Sequence, residues 1–414
     1  MFANNYHTNK GYEFFLLMHH KISPPVYNKW WLKMSTYSDS EKESITFCYD
    51  MLSKVSRSFS HVIRIVPNAL SLELLVFYLR CRALDTVEDD PNAFDGDIKS
   101  KKKYLKKFYT HYNSLKNVGE EKYRPLLENY HKIGIVHNLL ERKSQEIVDE
   151  AVKDMGRGMS QYLHYRIENM EQYNEYCYYV AGLVARGFNK LFIIHKFVDP
   201  DFLQKVTDPS IVCATHDRGG LEMSAALLLQ KTNITRDYKE DIEEGIQWYP
   251  QDIWKKYKTS FHEFDGDIPS RNCVNELVTD ALECVQDTLH YHTYIRHPDV
   301  FKFCAIPQVM AIATLNDLYD NPKVFETTIK IEKGLTLNIM HHSNNMNDMY
   351  YWFKKFVLKI KGKIREDDPN SIKTHRICDN ILSIINKEYH PSFLTKKEKF
   401  IIIILISILY LYYK

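Results

Sequence analysis

The 414-residue sequence is poor in the residues that build turns, with only 14 glycines and 14 prolines. A protein made of many short strands needs a turn every few residues, so this supply does not suit a large sheet protein. Apolar residues make up 44% of the chain, which is enough for an extensive core. The composition therefore favours helices.

Two sequence motifs are absent. The eight cysteines contain no C-x-x-C pair, which argues against a zinc knuckle or a dithiol redox centre. No G-x-G-x-x-G occurs, which argues against a Rossmann nucleotide site. The formal net charge is only +2, so no overall field directs the protein to a nucleic acid. We expect reduced thiols, no nucleic-acid partner, and only local sites for anions.

The two ends of the chain differ in hydropathy. The N-terminal apolar run from Phe14 to Met18 is too short for a signal peptide. Residues 400–413 are apolar apart from Ser407 and have lysines on both sides. Fourteen helical residues reach about 21 Å, less than a hydrocarbon core of about 27 to 30 Å. A buried terminal helix or strand is the alternative, but the basic flanks and tyrosines favour a membrane anchor.

Helical periodicity extends from Ile45 to about residue 358, with only short breaks. It predicts an all-α fold with one large helical domain over 45–358, after an N-terminal extension over 1–44. Residues 359–399 are basic and polar. We interpret them as a linker to the anchor segment 400–413.

A polar face interrupts an otherwise apolar segment. Four residues follow the spacing i, i+4, i+7, i+11, which places them on one side of a helix: Tyr78, Arg82, Asp85 and Asp89. Glu88 lies beside them, so three carboxylates crowd one turn. Such a face is often simply exposed to solvent. Adjacent carboxylates nevertheless repel one another unless a cation lies between them, and oxygen ligands without His or Cys select Mg²⁺, Mn²⁺ or Ca²⁺ over zinc.

A second acidic cluster follows later in the chain. Its four residues have the spacing i, i+3, i+7, i+11: Gln230, Asn233, Asp237 and Asp241. Two such helices facing each other across a bundle could hold metal ions between them. Arginines near both clusters indicate a polyanionic substrate with the metal as a bridge. These arginines are Arg57, Arg80, Arg82 and Arg236.

Five motifs, in order along the chain, resemble the squalene/phytoene synthase family. They are Ser56-Arg57-Ser58-Phe59, the run Asp85–Asp89, and the segments 176–184, 230–241 and 303–315. Their order and compatible spacing over about residues 45–340 make a chance match untenable. The last motif and the apolar tail resemble the reducing, membrane-bound branch of the family, which makes squalene.

This resemblance implies an isoprenoid-synthase helical bundle with a central cavity. It implies that two farnesyl diphosphates condense head to head to presqualene diphosphate, which NADPH then reduces to squalene, the first step of sterol synthesis. Mg²⁺, or Mn²⁺ in its place, would be held by five carboxylates: Asp85, Glu88, Asp89, Asp237 and Asp241. We further expect a monomer anchored by its tail in the endoplasmic reticulum membrane, with the catalytic domain facing the cytosol.

The resemblance also implies roles for single residues. Tyr176 matches the catalytic tyrosine that removes a proton as the cyclopropane closes, with Tyr178 and Tyr179 as adjacent alternatives. Residues expected to bind diphosphate are Ser56, Arg57, Ser58, Arg82, Lys122 and Arg236. Residues expected to line the prenyl and cation pocket are Phe59, Tyr78, Val180, Val184, Leu229, Gln230, Asn233, Phe303 and Pro307. The four aspartates and Phe303 are also expected to act in catalysis. Lys330 and Lys333 are expected to bind NADPH.

The sequence departs from the family pattern at several positions. Ile246 and Glu332 stand where the family carries arginine, and residues 215–223 and Ala226 also differ. The loss of two positive charges puts the reductive half-reaction in question. Two alternatives stay open: a non-reducing head-to-head synthase of the dehydrosqualene or phytoene type, and a noncatalytic relative with an assembly or scaffold role. Retention of all five carboxylates argues against the second.

Overall fold

The computed structural model describes residues 10–22, 35–56, 59–163, 166–199, 201–202 and 220–390. Within these ranges the regular structure is helical, and the extended pairing is one isolated bridge between Val198 and Ile295. The predicted all-α class is confirmed.

The first half of the chain contributes ten labelled helices in the described ranges. They are α1 (Lys10–Ile22), α2 (Asp39–Val55), α3 (Phe59–Ile65), α4 (Asn68–Asp89), α5 (Ile98–Lys107), α6 (Arg124–Glu128), α7 (Tyr130–Asn138), α8 (Arg142–Tyr162), α9 (Met170–Cys177) and α10 (Leu183–Ile194). A π-helical turn over Tyr178–Gly182 joins α9 to α10.

The second half supplies the remaining labelled helices of the described ranges. They are α11 (Leu221–Arg236), α12 (Tyr238–Glu243), α13 (Gln251–Trp254), α14 (Ile268–Glu283), α15 (Val285–His292), α16 (Pro298–Leu318), α17 (Lys333–His341), α18 (Met346–Lys361) and α19 (Ser371–Glu388).

Helix α4 crosses the core and delivers the first acidic cluster at its C-terminal end. Its residues from Leu70 to Glu88 are almost all buried, as expected for a helix that is apolar on most of its surface. Lys101 donates to the backbone carbonyls of Glu88 and Asp90, which caps the end of the helix. The carboxylates therefore lie in the last turn, where the helix dipole also disfavours negative charge. This placement increases the need for a compensating cation.

Helix α16 is the core helix of the second half. It is the one helix in the described part of the chain that is long and apolar enough to cross a membrane, but 72% of its apolar window is buried within the protein. It packs against α11, α14 and α18. A core position explains its composition. The predicted anchor over 400–413 lies outside the described residues.

The prediction of a linker over residues 359–399 is wrong for residues 359–390, the part that the structure describes. Helix α18 continues to Lys361, and α19 packs against α14 and α18. Asn275 donates to Asp368 at 2.7 Å, and the hydroxyls of Thr279 and Thr374 lie 2.7 Å apart in a buried hydrogen bond. The basic and polar residues that suggested a linker form the outer face of an amphipathic helix instead.

The predicted N-terminal extension is also helical where the structure describes it. Helix α1 packs against α17, and α2 begins at Asp39, before the expected boundary at Ile45. Ser38 and Glu41 form a capping box at this start, which fixes the first turn of α2. The helical body therefore includes parts of both predicted flanking segments.

Candidate functional site

A cavity of about 240 Å³ lies among α4, α10, α11 and α16. All the residues predicted to line the prenyl pocket do line it: Phe59, Tyr78, Val180, Val184, Leu229, Gln230, Asn233, Phe303 and Pro307. Arg82 and Asp85 also reach the cavity from α4. The enclosure is thus apolar over most of its wall and charged where α4 ends.

Sequence reasoning missed several lining residues, namely Phe188, Phe192, Glu222, Tyr291 and Gln308. A signal existed for two of them. Phe188 and Phe192 continue the i, i+4 series that begins at Val180 and Val184, so they share one helical face. The remaining three residues resemble ordinary members of a helical core, and the tertiary packing alone brings them to the wall.

Phe303 is the centre of an aromatic cluster in this wall. Its ring lies 6.2 Å from Phe59, 5.4 Å from Phe188 and 6.1 Å from Phe192, each in an edge-to-face arrangement. Phe59 in turn lies 5.4 Å from Tyr78. Aromatic faces stabilise a nearby cation by about 0.5 to 2 kcal/mol where water is excluded. The wall can therefore hold an apolar chain and tolerate positive charge within it.

The first acidic cluster lies beside this cavity. Arg82 Nη1 is 3.5 Å from Asp85 Oδ2, and the Asp85 side chain is 25% exposed. Glu88 is buried, and its Oε1 atom has no hydrogen bond within the described part of the chain. Burial, followed by the charges of Asp89 and Asp85, raises the pKa of Glu88 well above its ordinary value.

Asp89 completes the first cluster at the end of α4. The Asp89 side chain is exposed, and partial desolvation, followed by the charge of Asp85, raises its pKa above the ordinary value. Arg82 and Lys101 act in the opposite direction but do not cancel the effect. The cluster has more negative charge than its neighbours compensate.

The second acidic cluster spans the break between α11 and α12. Arg236 donates from Nε and Nη2 to the two carboxylate oxygens of Asp237, at 2.7 and 2.6 Å. Burial, followed by the charges of Asp237, Glu244 and Asp89, raises the pKa of Asp241 to about 8. Because Asp89 belongs to the first cluster, the charge of one cluster acts on the other. That the two clusters hold metal ions between them stays a prediction.

The carboxylates of the two clusters are the candidate ligands for a metal ion. Among the described residues, no three His, Cys, Asp or Glu side chains converge closely enough to hold an ion by themselves. The carboxylates still lack a balancing charge, as the bare Glu88 oxygen and the raised pKa values of Asp89 and Asp241 show. An all-oxygen site of this kind suits Mg²⁺, which binds few protein ligands and takes substrate phosphate and water for the rest of its shell. The residues fit that ion.

Tyr176 lies against the first cluster. It is buried, and its ring stacks on Trp248 with centroids 3.9 Å apart and planes at 15°. Burial, followed by the charges of Glu88, Asp89 and Asp85, raises the pKa of Tyr176 well above its ordinary value. The stacked partner Trp248 was not identified from the sequence.

The two neighbouring tyrosines have other surroundings. The hydroxyl of Tyr178 accepts a hydrogen bond from Arg186 at 3.2 Å. Tyr179 packs against Gly158, where a β-carbon would lie 2.1 Å from its ring. The π-helical turn begins at Tyr178 and changes the helical register directly after Tyr176. These contacts favour Tyr176 among the three candidates.

The predicted diphosphate ligands are partly brought together. The Arg82 guanidinium and the Lys122 ammonium lie over the Tyr123 ring, at 5.5 and 4.4 Å from its centroid, so the loop before α6 carries Lys122 to the first cluster. Ser56 accepts a hydrogen bond from the backbone of Ser60 at 3.1 Å. Arg57 and Ser58 lie outside the described residues.

The predicted NADPH ligands are at the start of α17. Lys330 and Lys333 are both exposed, on either side of Glu332. Glu332 forms an ion pair with Lys10 of α1. Neither lysine lines the cavity described above.

Comparison with known proteins agrees with the fold. The protein-family model for squalene/phytoene synthase matches residues 52–334. Squalene synthase 1 of Arabidopsis thaliana is 38% identical over 337 residues, which cover 79% of this chain and 78% of the relative. Squalene synthase of Mus musculus is 36% identical over 350 residues, which cover 83% and 80%. A solved complex of TcSQS with the ligand E5700 superposes with a TM-score of 0.76 at 32% identity, and covers 83% of this chain and 99% of that one. The chain belongs to the squalene/phytoene synthase family.

Proposed function

We propose that the protein is a squalene synthase that condenses two farnesyl diphosphates head to head to presqualene diphosphate and then reduces this intermediate to squalene with NADPH. The observation that carries the proposal is the interaction of two carboxylate clusters beside an apolar, aromatic cavity. Few ligands other than a prenyl diphosphate match both halves of such a site. The family relationship supports the same reaction.

In the first half-reaction, different residues of the chain bind the diphosphate, exclude water and stabilise the carbocation. Arg82, Arg236 and Lys122 bind diphosphate oxygens and stabilise the charge that develops on the leaving group. The apolar wall excludes water, which would otherwise capture the carbocation. Phe303 and its neighbouring rings stabilise that cation through their π faces.

Tyr176 acts as the proton acceptor of the ring closure. Its raised pKa means that it keeps its proton in the free protein, so it cannot be a standing phenolate base. It can take up a proton at Oη only when a strongly acidic carbocation lies beside it, while its own proton moves to a diphosphate oxygen. Stacking on Trp248 holds the ring in one orientation for this transfer.

Mg²⁺ would be held by Asp85, Glu88 and Asp89 on one side and by Asp237 and Asp241 on the other. When bound, it neutralises the diphosphate and assists its departure as a Lewis acid. Even without Mg²⁺, the two hydrogen bonds from Arg236 keep the Asp237 carboxylate oriented. Mn²⁺ has the same ligand preference and is the natural substitute.

NADPH has weaker support from individual residues. Lys330 and Lys333 are exposed cations that suit the 2′-phosphate, but neither lines the cavity described above. Glu332 between them is paired with Lys10. We therefore assign the reduction to the protein from its family relationship and derive no step of it from the geometry.

One experiment tests the function against its rivals. The full-length protein is supplied with farnesyl diphosphate and Mg²⁺, with and without NADPH, and the lipid product is identified. Squalene formed only with NADPH is the expected result. Presqualene diphosphate or dehydrosqualene regardless of NADPH would favour the non-reducing synthase, and no turnover would favour a scaffold.

The location follows as a separate proposal. Residues 400–413 anchor the protein in the endoplasmic reticulum membrane, with the catalytic domain in the cytosol as a monomer. The support is the apolarity, the tyrosines and the lysine flanks of this segment. Full-length protein should sediment with microsomes, whereas a chain ending at His390 should stay in the supernatant. Equal sedimentation of both would refute an anchoring role for the tail.

A further inference from the structure

Asp90 directly follows the first acidic cluster in the sequence, yet its carboxylate is bonded to backbone amides. Its Oδ1 atom accepts a hydrogen bond from the Asn92 amide at 2.8 Å, within the local turn that ends α4. Its Oδ2 atom accepts one from the Gly119 amide at 2.7 Å, 29 residues later in the chain. The side chain is half-buried. Asp90 therefore joins the end of α4 to the loop that precedes α6.

Gly119 lies close against α4 on the other side of this hydrogen bond. Its φ of +86° is in the left-handed region, and a β-carbon there would lie 2.3 Å from Thr86 Cγ2. Thr86 donates from Oγ1 to the Arg82 carbonyl at 2.7 Å, which fixes its rotamer with the methyl group toward Gly119. Both the backbone angle and the close approach require glycine. The loop is thus held to α4 by a hydrogen bond and by packing.

The fixed point of the loop lies shortly before Lys122. We call residues 115–123 the Lys122 loop. The amide of Tyr123 donates to the carbonyl of Glu120 at 2.9 Å, which closes a turn that contains Lys122. Because this turn begins directly after Gly119, the attachment of Gly119 to α4 sets where the turn lies.

Lys122 is exposed, so burial does not hold its side chain in place. Its Nζ atom lies 4.4 Å from the centroid of the Tyr123 ring, and the Arg82 guanidinium lies 5.5 Å from the same centroid. The two cations therefore lie against one ring beside the first acidic cluster. A flexible side chain loses conformational freedom when it binds an anion, and a backbone that is already fixed lowers this cost.

We propose that Asp90 is a positioning residue that holds the Lys122 loop against α4, so that the Lys122 ammonium joins Arg82 at the diphosphate of the prenyl substrate. Asp90 is then not a sixth metal ligand, although it adjoins the first cluster in the sequence, because backbone amides bind both of its oxygens. This role rests on the proposed function, which places Lys122 and Arg82 at the diphosphate, and adds what brings Lys122 there.

The test measures the affinity of the full-length protein for farnesyl thiolodiphosphate, an unreactive substrate analogue, by calorimetric titration at saturating Mg²⁺. Lys122→Gln should weaken binding about tenfold, since it removes a hydrogen bond between charged groups. Asp90→Asn should weaken binding about three- to tenfold, because an amide cannot accept both backbone bonds. In the Lys122→Gln background, Asp90→Asn should change the affinity by less than about twofold, since its effect passes through Lys122.

Gly119→Ala displaces the loop without changing a charge. The added β-carbon meets Thr86 Cγ2, so binding should weaken as it does in Asp90→Asn. Adding Thr86→Ser should restore part of the affinity, because serine lacks the methyl group and keeps the hydroxyl that bonds to Arg82. Asp97→Asn is the matched control and should bind as the wild type does. Asp97 also accepts hydrogen bonds from backbone amides, but these lie at the start of α5.

Equal losses from Asp90→Asn with and without Lys122→Gln would overturn the proposal, because Asp90 would then act independently of the lysine. An unchanged affinity in Asp90→Asn would overturn it and leave the proposed function intact. A higher Mg²⁺ requirement for half-maximal activity in Asp90→Asn, as expected for Asp85→Asn, would make Asp90 a metal ligand instead.

Two further results concern the proposed function itself. Normal binding by Lys122→Gln would remove Lys122 from the diphosphate site and overturn the role of Asp90 with it. If the wild type does not bind the analogue, the proposed function fails. Should Asp90→Asn not fold, Gly119→Ala with and without Lys122→Gln provides the same comparison.

Discussion

Tyr176 and Trp248 stack with their ring centroids 3.9 Å apart and their planes at 15°. Tyr176 follows from a family motif, whereas Trp248 lies in the loop after α12 and belongs to no motif that the sequence revealed. The stack holds the phenol beside the carboxylates of α4, and burial, followed by their charges, raises its pKa. It therefore links the position of the proposed catalytic tyrosine to a residue distant in the sequence.

Tyr176→Phe should lose the first half-reaction but still bind farnesyl diphosphate. Removal of a positioned proton acceptor costs about 10² to 10⁴ in rate. The phenyl ring still stacks on Trp248, so the fold and the binding of farnesyl diphosphate should change little. Single-turnover formation of presqualene diphosphate measures the effect. Tyr179→Phe is the control and should keep its activity. If Tyr179→Phe loses activity while Tyr176→Phe stays active, the role of proton acceptor does not belong to Tyr176.

Trp248→Leu should lower kcat more than it changes substrate affinity. The substitution removes the ring that orients Tyr176 but leaves the phenol and all five carboxylates in place. Trp248→Phe should restore much of the activity, because a smaller aromatic ring can still stack. An unchanged kcat in Trp248→Leu would show that the stack contributes only to packing.

Asp85→Asn and Asp237→Asn should each reduce the first half-reaction by at least about 10²-fold, since each removes a charged metal ligand beside the diphosphate. Both variants should also require more Mg²⁺ for half-maximal activity. Asp379→Asn, on the exposed face of α19, should behave as the wild type. Full activity of Asp85→Asn or Asp237→Asn would contradict the role of the replaced aspartate as a metal ligand.

The stability of the metal-free protein should fall as the pH rises from about 6 to 8.5. The folded-state pKa of Asp241, about 8, lies above that of the unfolded chain. The folded protein thus holds a proton that the unfolded chain has lost, and this stabilisation disappears as the pH rises through the folded pKa. Mg²⁺ should oppose the loss by balancing the carboxylates.

The measurement is the difference in Tm between Mg²⁺ and EDTA across this pH range. The difference should grow with pH in the wild type and grow less in Asp241→Asn. Tyr176 beside the carboxylates keeps its proton over this pH range. Thiols and phenols remote from the metal site titrate equally with and without Mg²⁺, so the comparison removes their contribution. A difference independent of pH would contradict the assignment.

Ile381→Ala should destabilise the protein by about 2 to 4 kcal/mol, because deletion of a buried side chain leaves a cavity. Ile381 is 2% exposed in α19, whereas Ile372 at the start of the same helix is 84% exposed. Ile372→Ala is therefore the matched control and should cost little. Urea denaturation gives both values. If both substitutions have equally small effects on the free energy of unfolding, α19 does not contribute to the packed core, and the linker prediction would apply to it.

The sequence alone predicted the helical class, the two acidic clusters and most of the cavity wall. These features depend on local periodicity or on motifs: the polar face of α4 needs only the i, i+4 spacing, and Val180 and Val184 need only a shared helical face. The same reasoning failed for α19, because a surface helix of a packed body and a polar linker have similar compositions. Its apolar residues recur with helical spacing, which was the signal available.

What the sequence by itself determined about this protein is therefore its helices, its carboxylates and the family to which it belongs. Only the tertiary structure decided that the charge of Asp89 acts on Asp241 and that Trp248 stacks on Tyr176. The physical reason is that burial, charge repulsion and ring stacking act through space between distant parts of the chain. Their effects exist only after helices from separate segments have packed against one another.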